Sequence, residues 1–320
     1  MARNVIIDCD TGLDDAVALL LALRSPQLNV LGITCVAGNV SLANVLNNTL
    51  KVVEHSGKNV TVYAGAAQPF VPKLSADASH VHGADGLGGL VFPAPHISAE
   101  QEHAVDFIIR TTMQVQEPLE WITLAPLTNI ALALQKEPCL VEKVKHITMM
   151  AGGMDCGNAT PMAEFNVYAD PEAAKIVFDS VIPKTMVPLD PLYNGGYLIA
   201  EDIEVLSAAS EKPWCDMAAK ILGRDRNTAS MLTRSPLPGG GVIAPPDLLT
   251  MAAILNPEVL EWEEYRVFIE TEGEFGRGMT AVDRRRYITP PNYADRTKMR
   301  IGVRADQKKY AAVLLDTWLA

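Results

Sequence analysis

Short β-branched runs alternate with helix-length amphipathic segments from the start of this chain. Residues 5–7 (Val-Ile-Ile), 28–35 and 60–63 read as strands, and 14–24 and 42–55 as the helices between them. The first helix opens on acids, which suit the positive end of the helix dipole, and closes on Arg24 and then Pro26. Strand–helix–strand units at this spacing imply parallel strands joined by right-handed crossovers. The alternation continues with helices at 104–114, 128–135 and 171–178 and strands at 121–124, 146–150 and 184–189, the last ending at Asp190. Residues 201–224 are helical and more polar, 236–241 (Pro-Leu-Pro-Gly-Gly-Gly) form a loop, and 248–255 are a helix stopped by Asn256-Pro257. Residues 265–303 read as strands and turns, and 310–319 as a final helix. The expectation is one α/β domain over 1–320, with 201–246 as a cap or flap.

Composition narrows the functional classes. The 320 residues carry 27 Lys and Arg against 38 Asp and Glu, a net charge of −11. That balance argues against a phosphate-backbone binder, which needs a basic patch. No uncharged apolar run approaches the ~18 residues of a membrane span, and the N-terminus lacks the pattern of a signal peptide. The expected setting is the cytoplasm, without nucleic-acid or membrane partners. Cys9, Cys35, Cys139, Cys156 and Cys215 are odd in number, widely spaced and contain no CxxC. They read as reduced core residues.

The segment Asp8-Cys9-Asp10-Thr11-Gly12-Leu13-Asp14-Asp15 puts four carboxylates directly after the first strand. Ligands of open parallel sheets bind beyond the carboxyl ends of the strands. One acid of the Asp14-Asp15 pair suffices to cap a helix. Asp8 and Asp10 are surplus to that need. Self-repulsion of such a group is relieved by a hard divalent cation with oxygen ligands, Ca²⁺ or Mg²⁺. A DxD after a first strand also suggests an aspartyl-phosphate phosphatase, although the paired acids at the helix start lie outside that pattern. A second cluster lies at 157–171, where Asn158, Glu164 and Asn166 follow a strand and a glycine pair. Three hydrogen-bonding side chains so placed suit the hydroxyls of a sugar, or an ordinary Asn-rich turn.

Taken together, DCDTGLDDA and GNATPMAEFNVYADPEAA resemble the inosine–uridine nucleoside hydrolase family, calcium-binding nucleoside N-ribohydrolases. The resemblance spans nearly the whole chain. It implies an α/β, Rossmann-like fold whose central sheet is mostly parallel and mixed at its edge, with helices on both faces, assembled as a homodimer or homotetramer. It further implies Ca²⁺ held by Asp10, Asp15, the Leu124 carbonyl and Asp247, with Asp10 taking a proton from a calcium-bound water. Asp14, Asn158, Glu164, Asn166 and Asp247 would hold the ribose hydroxyls of a nucleoside substrate, and Asn39 and Met150 would border the sugar.

One part of the pattern is altered. Purine-accepting relatives carry a histidine just before the late aspartate, where this chain has Pro246 before Asp247, and no histidine follows His146. After Asp190 the family often has Thr-His, where this chain has Pro191-Leu192-Tyr193. His82, Tyr193, Arg224, Asp225 and Arg226 are the candidates for activating the leaving base. The alternatives are a substrate with a better leaving group, such as a modified or non-nucleoside N-riboside, or a ribonucleoside-binding protein without turnover. The 236–241 loop reads as a lid or a plain surface loop, and 283–287 as structural ion pairing.

Overall fold

The computed structural model describes residues 2–72, 76–224, 237, 239, 241–286 and 297–320. Its organising element is β1 (Arg3–Cys9), paired in parallel with β2 (Leu28–Cys35) on one side and β4 (Leu119–Thr123) on the other. Alternation along β1 splits its side chains between two cores. Val5, Ile7 and Cys9 join one, and Ile6 joins the other. A strand buried on both faces reads as a continuous apolar run, as 5–7 does.

The first crossover is α1 (Leu13–Arg24), and α2 (Leu42–Ser56) leads to β3 (Val62–Ala64). After the one-turn α3 (Ser79–His82) come α4 (Ala104–Gln114), α5 (Thr128–Lys136), β5 (Val144–Met150), α6 (Phe165–Ala169), α7 (Pro171–Asp179) and β6 (Lys184–Val187). Next follow α8 (Asp190–Tyr193), β7 (Tyr197–Leu198), α9 (Ala200–Ala208), α10 (Pro213–Arg224), β8 (Val242–Ile243) and α11 (Pro246–Leu255). The chain closes with β9 (Leu260–Ile269), β10 (Thr280–Asp283), β11 (Met299–Ala305) and α12 (Gln307–Leu319). The nine-stranded sheet has the order β10-β9-β11-β6-β5-β4-β1-β2-β3. Every pair from β3 to β11 is parallel, while β9 runs antiparallel to β11 and β10. The fold is thus α/β and Rossmann-like, with the sheet mixed at one edge as expected.

Helices α4, α5 and α7 cover one face, and α1, α2 and α9 to α12 the other. Helix α1 is buried almost all round, because α11 packs along it and α2 and α10 flank it. Its apolar sequence, AVALLLAL, leaves it no wet face. Helix α11 is equally apolar and buried. Both helices therefore begin at the same place, beyond the carboxyl end of β1. In this strand order the direction of winding reverses between β1 and β4, which is where open α/β sheets form their ligand crevice.

Several local expectations are corrected. The strand placed at 184–189 ends at Val187, because Pro188 offers no N–H and α8 begins at Asp190. The helical stretch 201–224 is two helices, α9 and α10, whose buried faces belong to the main core. Cys139 and Cys156 are exposed rather than core residues; only Cys9, Cys35 and Cys215 are buried, and all five are free thiols. The ion pairing expected at 283–287 is present, with Arg285 on Asp283 at 2.7 Å and Arg284 on Asp155 at 2.8 Å. Asp225, Arg226, Tyr287 and residues 236, 238 and 240 of the 236–241 loop lie outside the described residues. No helix among the described residues is long and apolar enough to cross a membrane.

Candidate active site

Beyond β1 the chain turns through Asp10-Thr11-Gly12 into α1. Asp15 closes this turn on itself: Oδ2 accepts the Gly12 N–H at 2.9 Å and Oδ1 accepts the Asp10 N–H at 3.2 Å. Thus Asp15 supplies the expected helix capping, which leaves Asp14 free for other work. The loop after β2 docks against this turn. Asn39 donates its backbone N–H to Asp10 Oδ2 at 2.6 Å and its side-chain amide to Asp15 Oδ2 at 3.1 Å. Two glycines permit the approach. A Cβ at Gly38 would lie 2.1 Å from Asp10 Oδ2, and one at Gly12 would lie 2.6 Å from His82 Nδ1.

Asp247 enters from the first turn of α11. Ligand oxygens of Asp14, Asp15 and Asp247 lie within 4.8 Å of one another. This trio holds two of the expected ligands, Asp15 and Asp247, together with Asp14. Asp10 adjoins it through its N–H bond to Asp15 Oδ1. The Leu124 carbonyl, the fourth expected ligand, receives the Asn166 amide at 3.1 Å.

The electrostatics of the cluster are those of a site short of positive charge. Asp10 Oδ1, Asp14 Oδ1 and Asp247 Oδ1 are buried and have no hydrogen-bond partner. Buried polar atoms are rarely left so, and each costs free energy. Burial, and then the charge of Asp15, holds the Asp10 carboxyl well above its ordinary range. Burial followed by Asp14 raises Asp15 to about 8. Asp247 is also raised strongly, by burial and then by Asp14, Asp15, Asp10 and Glu164. A hard divalent cation with oxygen ligands answers both the orphaned oxygens and the crowded charge. The residues present fit one.

Across the crevice, Glu164 caps α6. Its carboxylate accepts backbone N–H groups from Gly152 and Asn166, both at 2.8 Å, and from Val167 at 3.2 Å. Burial nevertheless raises it to about 7. Asn166 directs its amide at the Leu124 and Met150 carbonyls and the Met150 sulfur. Asn158 is exposed and ties the loop by accepting the Phe165 N–H at 2.8 Å. On the opposite rim His82 is buried at 8% exposure. Its Nδ1 accepts the Leu13 N–H at 3.2 Å and stands 3.7 Å from Asp14 Oδ1. That bond puts the ring proton of a neutral imidazole on Nε2. Tyr193 is 51% exposed at the end of α8.

The structure therefore gathers Asp10, Asp14, Asp15, Asn39, His82 and Asp247 directly, and Leu124, Met150, Glu164 and Asn166 through Asn166's bonds. Asp8 lies behind them, near enough that its charge adds to the rise at Asp10. Strand alternation turns Asp8 to the other face, where Asn129 donates to it at 2.8 Å and Thr34 donates a second bond. The role of Asn129 was not visible in sequence. It also donates to the Cys35 carbonyl and accepts the Ala66 N–H, linking three strand ends beneath the Asn39 loop.

The family description "Inosine-uridine preferring nucleoside hydrolase" matches residues 5–312. A Shewanella sp. protein named pyrimidine-specific ribonucleoside hydrolase RihA is 38% identical over 320 residues, covering 99% of this chain and 96% of its own. An uncharacterized Schizosaccharomyces pombe protein is 39% identical over 284 residues, 88% of this chain and 89% of its own. Among solved structures, a plant nucleoside hydrolase superposes with a TM-score of 0.87 at 26% identity, covering 100% of both chains. A purine-preferring ribonucleoside hydrolase from Gardnerella vaginalis gives 0.82 at 28% identity, covering 99% of this chain and 100% of its own.

Proposed function

The chain belongs to the inosine–uridine preferring nucleoside hydrolase family and is a nucleoside N-ribohydrolase, and from that premise we propose that it cleaves ribonucleosides to base and ribose with Asp10 as general base beside a bound Ca²⁺. Asp10, Asp15, Asp247 and the Leu124 carbonyl would hold the cation. When bound it supplies Lewis acidity, which lowers the pKa of a neighbouring water. The observation that carries this reading is the set of buried, unpartnered oxygens on Asp10, Asp14 and Asp247 where two helices and β1 converge.

The residues divide the work. The Asn39 N–H holds Asp10 Oδ2, so Oδ1 is the oxygen free to accept the proton of the attacking water. Asp14, Asp247, Asn158, Glu164 and Asn166 bind the ribose hydroxyls. Glu164 already accepts three N–H bonds, so roughly one of its four lone-pair positions is left for a hydroxyl. Met150 and Asn39 border the sugar. The ribosyl group develops oxocarbenium character as the C1′–N bond breaks. A ring of fixed carboxylates favours that positive charge. His82, with Nε2 as its donor, and Tyr193 are the candidates for contact with the base.

The relatives named pyrimidine-specific support uridine and cytidine as substrates. Pro246, which can transfer no proton, supports a second reading, a riboside whose base leaves more readily. Release of reducing sugar from uridine, cytidine and inosine in the presence of Ca²⁺ tests the proposal. Asp10→Asn should lower kcat by ~10²–10⁴-fold with the fold intact. Full turnover by that variant would remove Asp10 from its role.

A further inference from the structure

The following rests on the ribohydrolase reading. A departing nucleobase takes negative charge with it, and here it leaves a site ringed by Asp10, Asp14, Asp15, Asp247 and Glu164. A field of that sign opposes the departure. The imidazole at the rim, His82, accepts the Leu13 N–H at Nδ1 and so offers the base only a neutral Nε2–H, with no fixed positive charge.

A permanent cation reaches the same rim from α10. That helix packs on α1 and α2 and ends at Arg224. Its guanidinium lies on Gly88, in the loop that follows His82. A Cβ at Gly88 would stand 2.4 Å from Arg224 Cζ and 2.7 Å from Nε and Nη1. Gly88 has φ of +64°, so a side chain there is disfavoured by the backbone. The Gly88 N–H donates to the His82 carbonyl at 2.7 Å. The loop is anchored over the site turn, because Asn48 donates to the carbonyls of Asp85 at 2.8 Å and Thr11 at 3.2 Å. The exposed Arg224 side chain thereby lies against a segment tied to His82 by the Gly88 N–H and to Thr11 through Asn48.

We propose that Arg224 is the leaving-group residue of this enzyme: its guanidinium binds the nucleobase as the base departs as an anion. The C1′–N bond breaks with its electron pair on the base nitrogen, delocalised onto a ring carbonyl oxygen that the guanidinium N–H groups bind. The water oxygen bonds to C1′ and its proton goes to Asp10. The base takes its own proton from solvent afterwards, since a guanidinium donates hydrogen bonds but no proton near neutrality. The ligand class recognised is an oxo-substituted base, such as uracil or hypoxanthine.

The test compares uridine with p-nitrophenyl riboside, whose leaving group departs unaided. Arg224→Gln should lower kcat/KM for uridine by ~10²-fold while p-nitrophenyl riboside changes by less than about threefold. Arg224→Lys should fall between the two on uridine. The ratio of the two substrates, measured on one sample, is independent of the fraction folded. Equal losses on both substrates, or no loss on uridine, would overturn the assignment. Should the unaltered chain release ribose from neither substrate, the ribohydrolase reading fails first, and this inference with it.

Discussion

At the residue scale the site turns on what each carboxylate has already spent. Asp15 uses its oxygens on the Asp10 and Gly12 N–H groups and on Asn39, so it is a fixed wall of the crevice. Asp10 is held by one oxygen and keeps the other, as a base must. Asp14, Asn166 and Asp247 are assigned to the 2′- and 3′-hydroxyls, and a substrate lacking one of them leaves buried polar groups unpaired. Deoxyuridine should therefore turn over at least ~10²-fold more slowly than uridine; comparable rates would contradict the assignment. Most of these residues were legible in sequence, because DCDTGLDDA and the 157–171 segment place them within short windows. Asp8 was left without a role in sequence; strand periodicity sends it to the opposite face from Cys9, where Asn129 and Thr34 are its partners. The role of Asn129 was not legible, since its contacts lie 63, 94 and 121 positions away in the chain.

At the element scale, two apolar helices begin at one carboxylate cluster. The N-termini of α1 and α11 bring partial positive charge to Asp14, Asp15 and Asp247, which offsets part of their repulsion. Burial, and then the charge of Asp14, still holds Asp15 at about 8, and burial holds Glu164 at about 7. An unfolded carboxyl titrates near 4. Because these folded values are higher, the folded chain holds its protons more tightly. The resulting stabilisation is full below the unfolded pKa and is lost as pH rises through 7 and 8. The metal-free protein should thus melt at a lower temperature near pH ~8.5 than near pH ~6, and saturating Ca²⁺ should flatten that fall. A melting temperature that rises over the same interval without metal would contradict the account. The helix and strand positions were largely legible from periodicity, except where proline intervened. Pro188 cut β6 short, and Pro213 opened α10 as a separate helix.

At the scale of the whole molecule, strand order decides where chemistry can occur. The order β3-β2-β1-β4-β5-β6 places the winding reversal beside β1, so the turn after β1 and the Leu124 carbonyl after β4 open on one crevice. Local periodicity gave the parallel units, but not the strand order, nor the placing of α11 along α1. That contact joins residues more than 200 positions apart and brings Asp247 to Asp14. The central claim is that these separated acids form one calcium-dependent ribohydrolase centre. Its most direct test is the rate of reducing-sugar release from uridine as Ca²⁺ is titrated into metal-stripped protein. We expect no measurable release at the start and saturable recovery with Ca²⁺. Full activity in the stripped protein, or none at any Ca²⁺ concentration, would contradict the account.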